Sequence, residues 1–219
     1  MTIIFYLDKG TGMVYPEQSI SRLTKMLSPH AHAAIPSEVV RGKRRYHLHS
    51  SGEQVIYFLD EGEFLIKRTR DNKVISVILS PTIVGWSLAA LKSDDIYIER
   101  VDYGKIRCLP FNIALRVVTA YQRFDDVLII INFWFHFLID FCADNDGDSL
   151  SIVKNMLLSL NKLPPDVRRR YTALTFIAQR TSLSKSTIFR VLKKLQTEKL
   201  IELERGRLKK IAFSQPVVC

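Results

Sequence analysis

Cysteine is scarce in this chain and widely scattered: Cys108, Cys142 and Cys219 make an odd number with no CxxC pair. Such spacing supplies neither a disulfide framework nor the thiolate set of a zinc or iron–sulfur site. A secretory leader is missing too. The apolar opening Met1-Thr2-Ile3-Ile4-Phe5-Tyr6-Leu7 has no basic flank and is broken at once by Asp8-Lys9-Gly10, so a cytoplasmic location is expected. No apolar run reaches the ~20 residues that a membrane span needs. The longest candidate, between Phe124 and Asp144, holds Asn132 and His136 and is closed by Asp140, Asp144, Asp146 and Asp148. Acids form the last shortage. From Lys162 onward only Asp166, Glu198, Glu202 and Glu204 stand against fourteen lysines and arginines, a surplus equal to the net +10 of the whole 219-residue chain. A neutral body with a basic end suits phosphate attraction coupled to a separate sensing or dimerising unit.

What is present is clearest from Leu174 to Leu195. Leu174, Ile177 and Ala178 share one helical face, and Ile188, Val191, Leu192 and Leu195 share another. Between them Thr181-Ser182-Leu183-Ser184 supplies one apolar anchor and, at Ser184, an N-cap hydroxyl for the second helix. Two short helices joined by a polar turn form a helix-turn-helix. The outward face of its second helix carries Ser186, Phe189, Arg190, Lys193 and Thr197, with Lys185 in the first turn. Arg190 can offer paired donors to guanine O6 and N7, and Ser186 can meet a base edge or a phosphate. An amphipathic surface helix with solvated cations has the same pattern, and the context decides between them. After Glu198-Lys199, Leu200 to Leu203 and Leu208 to Phe213 alternate as strands around Glu204-Arg205-Gly206-Arg207. That hairpin is a wing, expected to carry Arg205 and Arg207 toward the duplex backbone or minor groove.

Upstream, Glu17 to Leu27 has helical spacing after Pro16. From Glu53 to Leu109 the period becomes two. Five strand-like runs, 55–59, 64–68, 74–79, 96–101 and 104–109, are separated by turn signals that include Asp60-Glu61-Gly62 and Asp102-Tyr103-Gly104, the pattern of a β-sandwich or jelly roll. Gly62, Asn72 and Gly104 sit where positive φ is expected. The pairs His30/His32 and His47/His49 lack a third ligand nearby, so a metal-dependent enzyme on a cupin-like barrel stays a remote alternative.

Pro110 opens a helical region: Phe111 to Tyr121, then Phe124 to Asp144, where Val127, Ile131, Trp134, Leu138 and Phe141 recur at spacings of three and four, the seam of a coiled coil. The acids 144–148 begin like a calcium loop but have Asn155 at the twelfth position, so they are read as a hinge and the N-cap of a helix over 149–162. After Leu163-Pro164-Pro165 a helix from Asp166 to Tyr171 would turn Arg168-Arg169-Arg170 to phosphates or to the acidic hinge.

This order of β-roll, long helix, hinge and winged helix-turn-helix resembles the CRP/FNR superfamily of bacterial transcription regulators. Ile56 to Phe64 is similar to its glycine-bearing strand-turn-strand, and Ser184 to Leu192 to its recognition helix. Gln179-Arg180-Thr181 through Ser184, with Gly206-Arg207-Leu208, look most like the IprA group, named for inhibition of hydrogen peroxide resistance. The resemblance implies an α+β fold: a cyclic-nucleotide-binding-like β-roll over 1–122, a dimerisation helix and hinge over 123–148, and a winged helix-turn-helix over 149–219. It also implies that Lys185, Ser186 and Arg190 read bases, with Phe189 as a departure that could meet a thymine methyl. Arg180, Ser184, Thr187, Lys193, Lys194, Arg205 and Arg207 complete the DNA-binding set. The ligand cassette is not matched: Val84 to Leu91 followed by Asp94-Asp95 puts two carboxylates where cyclic-nucleotide binders place an arginine. Like charges ~4 Å apart near a surface cost several kcal/mol, so response to cAMP is not expected. The expected partners are double-stranded DNA and a second copy of the chain, with RNA polymerase a further candidate. No membrane partner, metal or cofactor is expected. The alternative is a small-molecule or redox-sensing β-roll, through Cys108 or Cys142, that acts on other proteins.

Overall fold

The computed structural model describes residues 15–50, 52–86 and 95–213, which fall into two units, 15–138 and 139–213, with the boundary inside one helix. In the first unit, α1 (Glu17–Leu27) buries Ile20, Leu23 and Leu27 at the expected spacing. Eight strands follow: β1 (His32–Ala33), β2 (Glu38–Val40), β3 (Lys43–His47), β4 (His49–Ser50), β5 (Glu53–Arg68), β6 (Val74–Leu79), β7 (Thr82–Val84) and β8 (Ile96–Pro110). They form one antiparallel sheet with the path β2-β3-β8-β5-β4; β1 joins β8, and β6 and β7 join β5.

Two expected turns lie inside strands. Asp60-Glu61-Gly62 and Asp102-Tyr103-Gly104 belong to β5 and β8, which pair from Val55 with Pro110 to Arg68 with Ile96, shifting register between Leu59 and Glu61 and between Gly62 and Phe64. The physical reason is that Gly62 and Gly104 are opposed in the ladder, so both chains bend together at bulges and neither reverses. Gly62 takes φ +104°, and a Cβ there would run into the Tyr103 carbonyl. Asn72 also has positive φ, but Gly104 does not; its need is space, because a Cβ would lie 2.9 Å from Phe64 Cζ.

Alternation along β5 feeds two cores. Ile56 and Phe58 pack with Ile83, Leu109, α1 and the helices α2 (Phe111–Ala120) and α3 (Phe124–Asp144), whereas Tyr57, Leu59, Phe64 and Ile66 fill the roll with Tyr46, Leu48, Ile78 and Ile98. The N-terminal part of α3 is fastened to α1: Arg22 donates through Nε and Nη2 to the wholly buried Asp126. That bond holds the Asp126 carboxyl below its ordinary range.

The expected dimer seam is largely occupied within one protomer. Val127 is buried in the helix core, Ile131 and Trp134 pack against it, and the Trp134 indole donates to the Ile83 carbonyl at 3.2 Å. Phe141 is half-buried, and of the five only Leu138 is exposed. The large apolar residues that α3 leaves open include Leu128, Ile129, Phe135 and Ile139. By length and composition α3 is the one described helix that could cross a membrane, yet Val127, Ile130 and Phe133 are buried in the protein.

The second unit is assembled on α4 (Ser149–Lys162), whose N-cap Asp148 accepts from the Ser151 amide at 2.8 Å, as read from the acidic stretch. Then come α5 (Pro165–Arg168), α6 (Ala173–Ala178), α7 (Lys185–Thr197), β9 (Ile201–Glu204) and β10 (Arg207–Ile211). Helix α5 stops short of the expected Tyr171, which is buried, and Thr172 is extended as the N-cap of α6. Val153, Met156, Leu157 and Leu160 of α4 face the same interior as Phe176, Ile177, Ile188, Leu192, Leu195 and Leu208.

Candidate nucleic-acid interface

The interface is positioned by caps. Thr172 Oγ1 accepts from the Thr175 amide at 3.1 Å and Ser184 Oγ from the Thr187 amide at 3.1 Å, so each helix of the motif begins at a fixed residue. Between them Thr181 Oγ1 donates back to the Ile177 carbonyl at 3.0 Å, which closes the turn, while Leu183 is half-buried under it. Helix α7 then buries Ile188, Val191, Leu192 and Leu195, and this fixes its opposite face outward. Lys185, Ser186, Arg190, Lys193 and Lys194 are all exposed there, and Phe189, 62% exposed, lies among them. Set one helical turn from Lys185 on one side and from Lys193 on the other, the Phe189 ring places an apolar spot on a cationic face.

Three of the expected residues have other work. Ser184 and Thr187 share a cap, their hydroxyls 2.9 Å apart, so they set the start of α7. Arg180 is a correction: it is 6% exposed, its guanidinium lies 3.6 Å from the Phe176 ring centroid, and Nη1 donates to the Phe176 carbonyl at 3.0 Å. It belongs to the core of the domain.

The wing is a two-residue hairpin. Glu204 pairs with Arg207, and Arg205 and Gly206 both have positive φ, the conformation that matches the twist of adjoining strands. Its tip is tied to the motif, because the Ala173 amide donates to the Gly206 carbonyl at 2.8 Å. Arg205 and Arg207 are exposed as expected. Sequence reasoning did not foresee that Arg168, Arg169 and Lys209 line one cleft with them. The triple arginine was visible, but nothing local names its partner across the wing.

In the roll, the histidine pairs do not build a metal site: among the described residues no three His, Cys, Asp or Glu side chains converge. His47 Nε2 lies 3.4 Å from Glu38, and His32 Nε2 lies 3.3 Å from the Cys108 sulfur. Burial pushes the Cys108 thiol up, away from the thiolate that oxidant chemistry uses. Cys142 is exposed, and Cys219 lies outside the described residues. Of the cassette, Ser87 to Asp94 lie outside them as well. A cavity of about 40 Å³ beside Gly85 has an apolar lining that includes Leu48, Ile66, Ile96, Trp134 and Phe137.

Comparison with known proteins agrees with this geometry. Residues 149–216 match the family model for winged helix-turn-helix DNA binding. No curated protein sequence matches the chain. Among solved structures, the c-di-GMP responsive global regulator CLP of Xanthomonas campestris is 14% identical with a TM-score of 0.61, the match covering 89% of this chain and 100% of that one. CooA from Carboxydothermus hydrogenoformans is 10% identical over 97% of this chain and 94% of its own, with a TM-score of 0.62. A Crp/Fnr-family protein from Eubacterium rectale is 10% identical over 87% and 90%, with a TM-score of 0.54. The antiparallel roll, the helices and the C-terminal winged helix-turn-helix together have the CRP/FNR fold.

Proposed function

We propose that the chain is a homodimeric, sequence-specific transcription regulator that reads DNA with α7. The observation that carries the reading is the outward face of that helix, where Lys185, Ser186, Phe189, Arg190 and Lys193 are exposed together on a domain of the winged DNA-binding type. Two such helices would enter successive major grooves about 34 Å apart on a pseudo-palindrome. Arg190 and Ser186 act on base edges, and Lys193, Lys194, Arg205 and Arg207 act on phosphates.

For the dimer, the geometry favours a seam one residue further along α3 than the spacing first suggests. Leu128, Asn132 and Phe135 are exposed at steps of four and three, and in sequence the same steps continue to Ile139 and Cys142. A single polar Asn in such a seam fixes register and favours two strands. A cytoplasmic protein, unresponsive to cAMP, contacting RNA polymerase at its targets and placed with the IprA group, completes the reading. Enzymatic activity and a membrane location have no part in it.

The test is selection from randomised duplexes followed by titration of two variants. Arg190→Ala is expected to cost about 1–3 kcal/mol and to flatten preference at one base step, while Lys193→Ala weakens every sequence alike. If neither variant alters binding, the face is wrongly assigned.

A further inference from the structure

The first unit has two cores, one beneath α1 and α2 and one inside the roll, and Trp134 is the one described residue that packs against both. Three contacts fix it there. Its indole N–H donates to the Ile83 carbonyl at 3.2 Å, on β7, whose one partner strand among the described residues is β5. Its ring meets Phe133 and Phe137 edge to face, with centroids 5.5 Å and 5.8 Å apart. Together with Phe137 and Leu138 it faces Leu48, Ile66, Val84 and Ile96 of the roll across a cavity of about 40 Å³. That volume admits one or two bodies the size of water. Among the described residues its lining holds no polar side chain, so a charged or hydroxylated ligand finds no partner there.

We propose that Trp134 is a ligand built into the chain: by filling the roll and fastening α3 to β7 it holds that helix in the rotation that presents Leu128, Asn132 and Phe135 to a second copy, so operator binding needs no added effector. The inference rests on the DNA-binding dimer read above and names how that state is maintained. A ligand shifts an equilibrium only through contacts that differ between two states. The contacts of Trp134 with Ile83 and the roll interior exist only while α3 lies against the roll, so they favour that placement alone. Attachment to the helix makes the contact intramolecular, at an effective concentration that a free molecule matches only when abundant. The rotation follows from the helical period: Trp134 and Phe135 are successive residues about 100° apart around the axis, so seating one against the roll turns the other outward. Tryptophan suits the task because its ring brings a large apolar area and its N–H one directional bond that phenylalanine lacks.

The experiment measures operator affinity by fluorescence anisotropy on the full-length protein, dialysed exhaustively and given no effector. Wild type is expected to bind in this state. Trp134→Ala is expected to lose about 5–150-fold, the usual range for coupling between sites, and added indole should restore most of the loss while leaving wild type unchanged. Ile130→Ala separates positioning from packing. Ile130 is buried in the helix core alone, so its variant should melt earlier, as Trp134→Ala does, yet keep its operator affinity. If alanine at position 134 leaves no folded protein by circular dichroism, Trp134→Phe decides: a ring stays, the N–H is lost, and a smaller loss of affinity is expected. Wild-type affinity from a folded Trp134 variant, no response of Trp134→Ala to indole, or an equal loss in Ile130→Ala overturns the proposal. So does wild type that binds before dialysis and not after, a result that leaves the DNA-binding reading intact. Wild type that binds no duplex in either state removes that reading first and this proposal with it.

Discussion

Arg180 and Arg190 are both arginines of the helix-turn-helix, and only one of them can touch a ligand. Arg190 is exposed on α7, whereas Arg180 is sandwiched against Phe176, with Tyr171 5.5 Å away. A desolvated cation–π contact is worth about 2 kcal/mol, and the hydrogen bond from a charged donor adds about 1.5–3 kcal/mol, part of which overlaps it. Arg180→Met keeps the volume and removes both. It is expected to destabilise the DNA-binding domain by about 2–3 kcal/mol, lowering its melting midpoint by roughly 10 °C, while base preference stays as in the wild type. Calorimetric melting beside operator titration checks this, and a normal melt with weakened binding would return Arg180 to the interface. The sequence could not separate the two arginines. Helix α6 has six residues, too few turns for an apolar period to fix its faces, while the thirteen residues of α7 fix theirs without ambiguity.

At the level of elements, α3 is the instructive case. It is apolar around most of its circumference, so the all-apolar seam that the spacing suggests has a neighbour displaced by one residue and interrupted by Asn132, and only packing decides which is already used. The core beneath α1 and α2 takes Val127 and, in part, Ile131 and Trp134; Leu128 and Phe135 are left in solvent at 63% and 59% exposure. Phe135→Arg is therefore expected to weaken the dimer by at least about 2 kcal/mol per protomer while the fold persists. Val127→Arg should instead disrupt the core between the helices and β5 and unfold the first unit. Sedimentation velocity with circular dichroism distinguishes them, and a folded, dimeric Phe135→Arg protein would rule this seam out. The bounds of α1 and α4 were readable because Pro16 and Asp148 mark them locally. The bent strands β5 and β8 were not, since the residues that make a turn also make a bulge, and the choice depends on a partner strand about forty residues away.

Over the whole molecule, the two proposed associations run on different physics. The surplus charge lies entirely from Lys162 onward, and the exposed seam of α3 carries Leu128, Asn132 and Phe135, none of them charged. Salt should therefore act on one equilibrium and spare the other. If six to ten phosphates are neutralised per dimer, operator affinity is expected to fall by about 10³–10⁵ between 50 and 200 mM salt. Dimer dissociation, governed by apolar burial, should change by less than about threefold over the same range, because screening does not weaken the hydrophobic effect. Fluorescence anisotropy on labelled operator and sedimentation equilibrium on the free protein measure the two separately. A steep salt dependence of dimerisation would mean that charged residues outside the apolar stripe hold the protomers together. A flat dependence of operator binding would mean that the cationic face of the second unit is solvated surface and that its exposed arginines and lysines meet no phosphate.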